Sequence, residues 1–345
     1  MILAGDVGGT KTSIAVFSSK GSLRKPLAQT TFSSPKFEDI ESLLLEFLSK
    51  NEYSVDQACF AVAGPVVDGK SSITNLPWVI SEWQIGHVLG ISSVLLVNDL
   101  VATASFVPFL KPDVDYLVLN EGKPVRHGTI AVIAPGTGLG EAFLIWDGRK
   151  YRAFASEGGH SDFAPRDALQ IELFKHMLEK HEHVSYERVC SGPGIREIHA
   201  FYHTVVDPQE RHPELSKIIS EVEDPVPMIV NAALGGVQCE LCEKSLDTFV
   251  AIMGAEASNL ALKVFATNGV YIAGGIPARI RPALENGKFV DAITRKGRMS
   301  EILGDMPIYL VLNPDICLLG AARMGFEKFE ERTKNRRIPK ANQNS

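Results

Sequence analysis

Ile2–Phe17 reads ILAGDVGGTKTSIAVF, an apolar run that passes through Gly5 and Asp6 into Gly8-Gly9 and then a second β-rich run from Thr12. β-Branched residues on both sides of a two-glycine turn predict a β-hairpin. The turn also has the composition of an anion site. Glycines let backbone N–H groups approach a ligand closely, Thr10 adds a hydroxyl, and successive N–H groups form a nest for negative oxygens. Asp6, at the end of the first strand, is placed to hold a cation over the same anion. A tight hairpin with a solvated Asp would have the same local pattern, so the rest of the chain has to separate the two.

A second stretch of the same plan supports the anion site. Ile130–Trp146, IAVIAPGTGLGEAFLIW, is again a β-branched run, a Gly-Thr-Gly turn (Gly136, Thr137, Gly138) and a β run. Two such hairpins, one opening each half, predict a duplicated fold holding phosphate between its halves. Gly274-Gly275, after the apolar run Val270–Ala273, makes a third turn at which backbone can lie flat against a base and ribose.

The 345 residues are enough for two domains with sizeable cores. Hydrophobic residues at 45% and charged residues at 22% are ordinary for a soluble globular chain. A formal charge of −6 argues against a nucleic-acid partner. No apolar run reaches the ~18 residues that span a bilayer, because Glu256 and Lys263 break Phe249–Phe265. Asp6 stands where a signal peptide would be apolar, and five cysteines, an odd number, suit a reducing compartment. The expectation is a cytoplasmic protein without membrane partners.

Between the motifs, patterning predicts strands at Leu27–Phe32, Ala58–Ala63, Ser93–Val97, Tyr116–Leu119, Gly128–Ala134, Tyr151–Ala155 and Pro307–Leu312. Helices are expected at Phe37–Ser49, from a Ser81-x-x-Gln84 capping box to Gly90, at Leu100–Phe109, from about Gly236 to Ala266, and at Leu318–Phe329. Arg166–Val206 should be mainly helical, Asp207–Pro227 a polar surface loop, and Glu331–Ser345 a flexible tail. Strands alternating with helices in this order make mixed sheets covered by helices, an α/β fold.

Four features mislead. Gly64–Ser71 matches the phosphate-loop pattern G-x-x-x-x-G-K-S, but the helix that must begin at the Lys-Ser is precluded by β-branched residues and Pro77. A loop and hairpin are expected there. Gly136-Thr-Gly138-Leu-Gly140 leads into a strand and not a helix, which rules out a dinucleotide fingerprint. Cys239-x-x-Cys242 has no second pair to complete a zinc site and should serve helix packing. His176, His181 and His183, in charged helical surroundings, should lie on a solvated face.

Asn98-Asp99 closes a buried strand at the carboxyl end, where α/β proteins place ligands, and could equally cap the following helix. Glu157-Gly-Gly-His160 leaves two polar side chains unobstructed after a strand, as a structural turn also would. Taken together, GDVGGTKT (Gly5–Thr12), NDL (Asn98–Leu100), APGTGLG (Ala134–Gly140), EGGH (Glu157–His160), ERVCSGPG (Glu187–Gly194) and IAGGI (Ile272–Ile276) resemble the bacterial glucokinases, in order and over nearly the whole chain. The related repressor/kinase group fits less well, since Ser161–Ala164 replaces its Cys-rich zinc motif and no helix-turn-helix precedes the first strand.

The resemblance implies the actin-like ATPase fold, two ribonuclease-H-like domains flanking a cleft, here 1–108 with 318–330, and 109–317. It implies transfer of the γ-phosphoryl of ATP to glucose, with Mg²⁺. Asp99 would be the general base, and Asn98, Asp99, Glu157, His160 and Glu187 would hold the sugar. The nucleotide would be held by Gly5, Asp6, Val7, Gly8, Gly9, Thr10, Lys11, Gly136, Thr137, Gly138, Gly274 and Gly275. Asp6 would orient Mg²⁺, directly or through water, and the chain would form a homodimer. A kinase for mannose or an N-acetylhexosamine, or a silent sugar sensor, are the alternatives on the same scaffold.

Overall fold

The computed structural model describes residues 1–19, 21–73, 76–206, 218–219, 221–236 and 239–337. The chain divides into two compact units, Met1–Phe109 with Pro314–Ser345, and Leu110–Asn313.

The first unit is built on a sheet of β1 (Ile2–Val7), β2 (Lys11–Phe17), β3 (Ala28–Ser33), β4 (Gln57–Val62) and β7 (Val94–Asn98), in the order β3-β2-β1-β4-β7. Consecutive strands β1, β2 and β3 pair antiparallel; β4 and β7 join parallel after the crossover helices Ile40–Lys50 and Glu82–Leu89. Leu3, Val7, Ile14, Phe60 and Leu96 form a core with Leu43, Leu44 and Phe47 of the first helix, whose N-cap Asp39 accepts the Ser42 N–H. The helices Asp99–Phe106 and Ile316–Arg337 pack on each other, the last helix also on β1 and β4 and the other on β7 and β4. They approach closely: a Cβ at Gly320 would strike the Ala102 carbonyl, and one at Gly325 would strike Ile2.

Lys70 does not open a helix. Val67 and Lys70 exchange both backbone hydrogen bonds at 2.9 Å across Asp68-Gly69, which hold φ at 49° and 69°. This is a two-residue hairpin turn, and it feeds β5 (Lys70–Ser72), which pairs with β6 (Val79–Ser81). The expected capping box is not formed: Ser81 occupies the N-cap position without a side-chain bond. Glu82 N–H goes instead to the Gly69 carbonyl, 2.9 Å away.

The second unit carries β8 (Tyr116–Asn120), β9 (Ile130–Pro135), β10 (Leu139–Trp146), β11 (Tyr151–Ser156), β12 (Val270–Ile272) and β13 (Ile308–Val311), in the order β11-β10-β9-β12-β13-β8. Antiparallel β9, β10 and β11 repeat the plan of the first three strands, and β12 and β13 add in parallel. Helices Ala168–Leu178, Gly192–Phe201 and Glu240–Val264 cover it through Leu173, Ile195, Phe201, Phe249 and Met253.

Several boundaries differ from expectation. The long helix starts at Glu240, not Gly236, because Cys239 is its N-cap, its sulfur accepting the Cys242 N–H. The cysteine pair thus caps a helix, its buried sulfurs 2.8 Å apart. His176 is not on a solvated face; its half-buried ring lies 5.7 Å from that of Phe201. The expected polar loop 207–227 lies mostly outside the described residues, and a helix already begins at Val226. The last helix runs through Arg337, into the expected tail, because Glu, Arg and Lys propagate a helix that packing has nucleated; 338–345 lie outside the described residues. Among the described residues, no helix is long and apolar enough to cross a membrane.

Candidate active site

In the first unit the β1–β2 turn is braced by Ser34, which directly follows β3. Gly8 N–H bonds to the Lys11 carbonyl at 3.0 Å, and Ser34 N–H to the Thr10 carbonyl at 3.1 Å. The Ser34 hydroxyl donates to the Gly8 carbonyl at 2.7 Å and so accepts from Thr12, 2.9 Å away. This brace fixes the Gly8–Lys11 backbone as a rigid loop, and no sequence signal marked Ser34. Gly5 and Val7 lie in β1 itself: Val7 belongs to the core, and a Cβ on Gly5 would sit 2.5 Å from the Phe60 ring. Only their backbone is available to a ligand.

Asn98 caps the helix Asp99–Phe106, its Oδ1 accepting from Leu100 and Val101 N–H at 3.0 and 3.1 Å. Its amide nitrogen reaches the Gly64 carbonyl at 3.3 Å. The cap reading therefore holds for Asn98, while Asp99 is the first helical residue and accepts Leu100 N–H at 2.8 Å. Cys317, at the start of the last helix, ties the two acids together. Its thiol lies 3.2 Å from Asp6 Oδ1 and 3.6 Å from the Asp99 carbonyl. Burial, with the charges of Asp6 and Asp99, pushes that thiol well up, so it remains a protonated donor. Burial also pushes the Asp6 carboxyl up; the Cys317 bond opposes this and the Asp315 charge adds to it. A desolvated carboxylate beside a second acid is a hard-oxygen donor set that suits a divalent cation. Mg²⁺ is commonly held by one or two carboxylates with substrate phosphates. Such a site needs no larger protein cluster, and none of three or more acids, His or Cys is assembled among the described residues.

In the second unit, three glycine turns meet at the carboxyl ends of β9 and β12. Gly136 N–H bonds to the Gly138 carbonyl at 2.8 Å, and the Gly136 carbonyl accepts Gly192 N–H at 2.8 Å. Gly192 opens a helix whose N-cap Ser191 accepts Gly194 N–H. Gly274, with φ of 95°, lies against β9: a Cβ there would be 2.6 Å from the Pro135 carbonyl. Space around Gly136 and Gly275 is open on the side a Cβ would take. Backbone N–H groups and a helix N-terminus collected at one point suit phosphate oxygens.

Glu157, His160 and Glu187 are brought together next to this turn. His160 Nε2 is 3.9 Å from Glu157 Oε2, and its Nδ1 is 4.0 Å from Glu187 Oε1. Glu187 is anchored by Leu139 N–H at 2.9 Å, and a Cβ on Gly138 would sit 2.5 Å from the same oxygen. The other two side chains are 74% and 61% exposed for Glu157 and His160, against 32% for Glu187. Two carboxylates and an imidazole with open valences are what a polyol requires. Beneath them lies a buried pair that sequence reading did not find, Glu141 and Glu256.

Comparison with known proteins agrees with this chemistry. The family model for glucokinase matches residues 3–327. The glucokinase of Nostoc punctiforme is 38% identical over 336 residues, 93% of this chain and 98% of the relative; that of Colwellia psychrerythraea is 33% identical over 322 residues, 93% and 94%. Among solved structures, a glucokinase from an Antarctic psychrotroph superposes with a TM-score of 0.78 at 31% identity, covering 94% of this chain and 98% of its own. The glucose complex of Balamuthia mandrillaris glucokinase, at 19% identity, shares the fold with a TM-score of 0.77 over 94% and 93%. The fold is that of the actin-like ATPases, an α/β architecture of mixed sheets and helices. The chain belongs to the glucokinase family.

Proposed function

We propose that this member of the glucokinase family, which phosphorylates glucose, takes the γ-phosphoryl group from ATP and delivers it to the 6-hydroxyl, with Asp99 as general base. The observation that carries the mechanism is the junction at Cys317, whose thiol lies against both the Asp6 carboxylate on β1 and the Asp99 backbone carbonyl at the start of its helix, holding the two acid-bearing segments in one place. Asp99 accepts the hydroxyl proton as the bond from O6 to the γ-phosphorus forms and the bond to the β-phosphate bridging oxygen breaks. Phosphoryl transfer asks for positioning and charge neutralisation more than covalent chemistry. Gly8–Lys11 and Gly136–Gly138 would supply backbone donors to the phosphates, and Gly274-Gly275 a flat surface for adenosine. Mg²⁺, held by Asp6 directly or through water, would neutralise phosphate charge. Glu157, His160 and Glu187 would hold the sugar hydroxyls, and Asn98 would set the direction of Asp99 through its cap. We place the enzyme in the cytoplasm as a homodimer.

The test is Asp99→Asn. Asn keeps the shape and loses the base, so kcat should fall about 10²–10⁴-fold, the usual share of general acid–base catalysis. ATP binding and the thermal midpoint should persist, because the phosphate loops are untouched and Asn is accepted at a helix start. Near-wild-type turnover would rule out the mechanism.

A further inference from the structure

Glu141 on β10 and Glu256 on the long helix are 2% and 0% exposed, and each carries a buried Oε1 with no hydrogen-bond partner among the described residues; after burial, the charge of Glu256 is what acts most on Glu141. Neither acid takes part in the mechanism above. Two desolvated carboxylates acting on each other in one closed space cannot both stay ionised, so one of the pair is neutral. Glu256 accepts from Asn259 Nδ2 at 2.8 Å, and the same amide donates to the Tyr186 hydroxyl at 2.9 Å. With the Asn259 donor and the Lys263 cation beside Glu256, the shared proton resides on Glu141.

The pair underlies both parts of the sugar cluster. Glu141 Oε2 fills the space that a Cβ on Gly158 would need, inside the Glu157–His160 turn. Two residues earlier on the same strand, Leu139 donates its N–H to Glu187, and its carbonyl fills the space beside Gly159. Tyr186 precedes Glu187 directly, and its N–H bonds to the Ser161 carbonyl at 3.0 Å, closing the ring around the turn.

We propose that Glu141 and Glu256 form a singly protonated platform that positions Glu157, His160 and Glu187 for glucose, which makes Glu141 a positioning residue. The proposal rests on the reading of those three side chains as the sugar site. Losing the shared proton places two repelling charges in a closed space, and Gly158 is what Glu141 would press against as it moves. The groups facing the pair do not supply a cation in contact with Glu141. Lys263 lies 3.8 Å from Glu256 Oε1, and Lys296, with Arg166 beyond it, bonds through Asn259. Tyr186 and Cys190 face the pair as neutral groups, both raised chiefly by burial and then by Glu256. Burial first, then Glu256, pushes the Glu141 carboxyl up to about 8. The platform is therefore intact at neutral pH and is lost as pH rises past that point.

The experiment is calorimetric measurement of the glucose dissociation constant, without nucleotide, from pH 6.5 to 9.5. If only the protonated platform binds, wild-type affinity should be about tenfold weaker at pH 9 than at pH 7. Glu141→Gln keeps a neutral donor to Glu256. It should bind within about twofold of wild type at pH 7 and show no weakening at pH 9. A flat wild-type profile, or the same alkaline weakening in Glu141→Gln, overturns the platform. The wild-type profile needs no variant, so the proposal can fail even if Glu141→Gln does not fold. His160→Ala separates this from the site assignment. Weak glucose binding there with a flat wild-type profile removes the platform alone; normal binding there removes the sugar-site reading and the platform with it.

Discussion

Glu157 is the most exposed of the three side chains proposed to hold sugar, and its carboxylate is held only loosely by His160, 3.9 Å away. An exposed acid that does not contribute to folding can be altered without disturbing its neighbours. Glu157→Gln removes one charge-assisted hydrogen bond to a hydroxyl, worth roughly 1.5–3 kcal/mol. The glucose KM should rise about 10- to 100-fold, while the KM for ATP stays near wild type. Steady-state kinetics with each substrate varied in turn gives the answer, and a shift in the ATP constant instead would reassign the residue. Ser34 and Cys317 are residues of a different kind. Each joins two functional segments through one small polar atom, and neither stands in a recognisable motif.

At the scale of elements, the turn Val67–Lys70 shows how context decides between two readings of one pattern. A phosphate loop needs its Lys-Ser at a helix N-terminus, where N–H groups and the helix dipole meet the anion. Here Lys70 opens a strand after an Asp-Gly hairpin turn, with no helix dipole behind it. Lys70→Ala should leave ATP turnover within about threefold of wild type, a change under ~1 kcal/mol. A hundredfold loss would restore the phosphate-loop reading. In the proposed reading the β1–β2 and β9–β10 hairpins would hold phosphate through glycine turns braced from a neighbouring segment. The brace is Ser34 in one and Gly192 in the other.

At the scale of the molecule, the first unit is completed only when the chain returns to it. Its last helix arrives after Asn313, and Gly320 and Gly325 bring that helix into backbone contact with Ala102 and against Ile2 and Cys59. Arg323 also lies over the Phe109 ring, 3.5 Å from its centroid. Where the chain leaves and re-enters, Asp115 accepts from Lys111 N–H at 2.6 Å and from the Asn313 amide at 2.8 Å, clasping the two crossing segments within the second unit. The proposed homodimer should sediment as one species of twice the 37.6 kDa chain mass. A species at the chain mass across the micromolar range would remove that part of the reading.

The amino-acid sequence by itself determined the hairpins, the alternation of strands and helices, and the acids at strand ends. These are local matters of period two, period 3.6 and glycine turns, and the residues that decide them are neighbours in the chain. It also marked Asp99 and Glu157, because a polar side chain at a strand terminus stands out against apolar surroundings. Boundaries set by capping were less legible. Asn98 was readable as a cap or a ligand, and Cys239 gave no hint that its sulfur would start the long helix. Only the tertiary structure decided which distant groups share a space. Ser34 meets Gly8 from 26 residues away, and Cys317 meets Asp6 from 311. Glu141 and Glu256 stand alone in apolar stretches, where each reads as an unremarkable strand or helix residue. Their shared proton exists because packing two carboxyls into one dry site makes double ionisation too costly, and that packing is set by how β10 and the long helix meet.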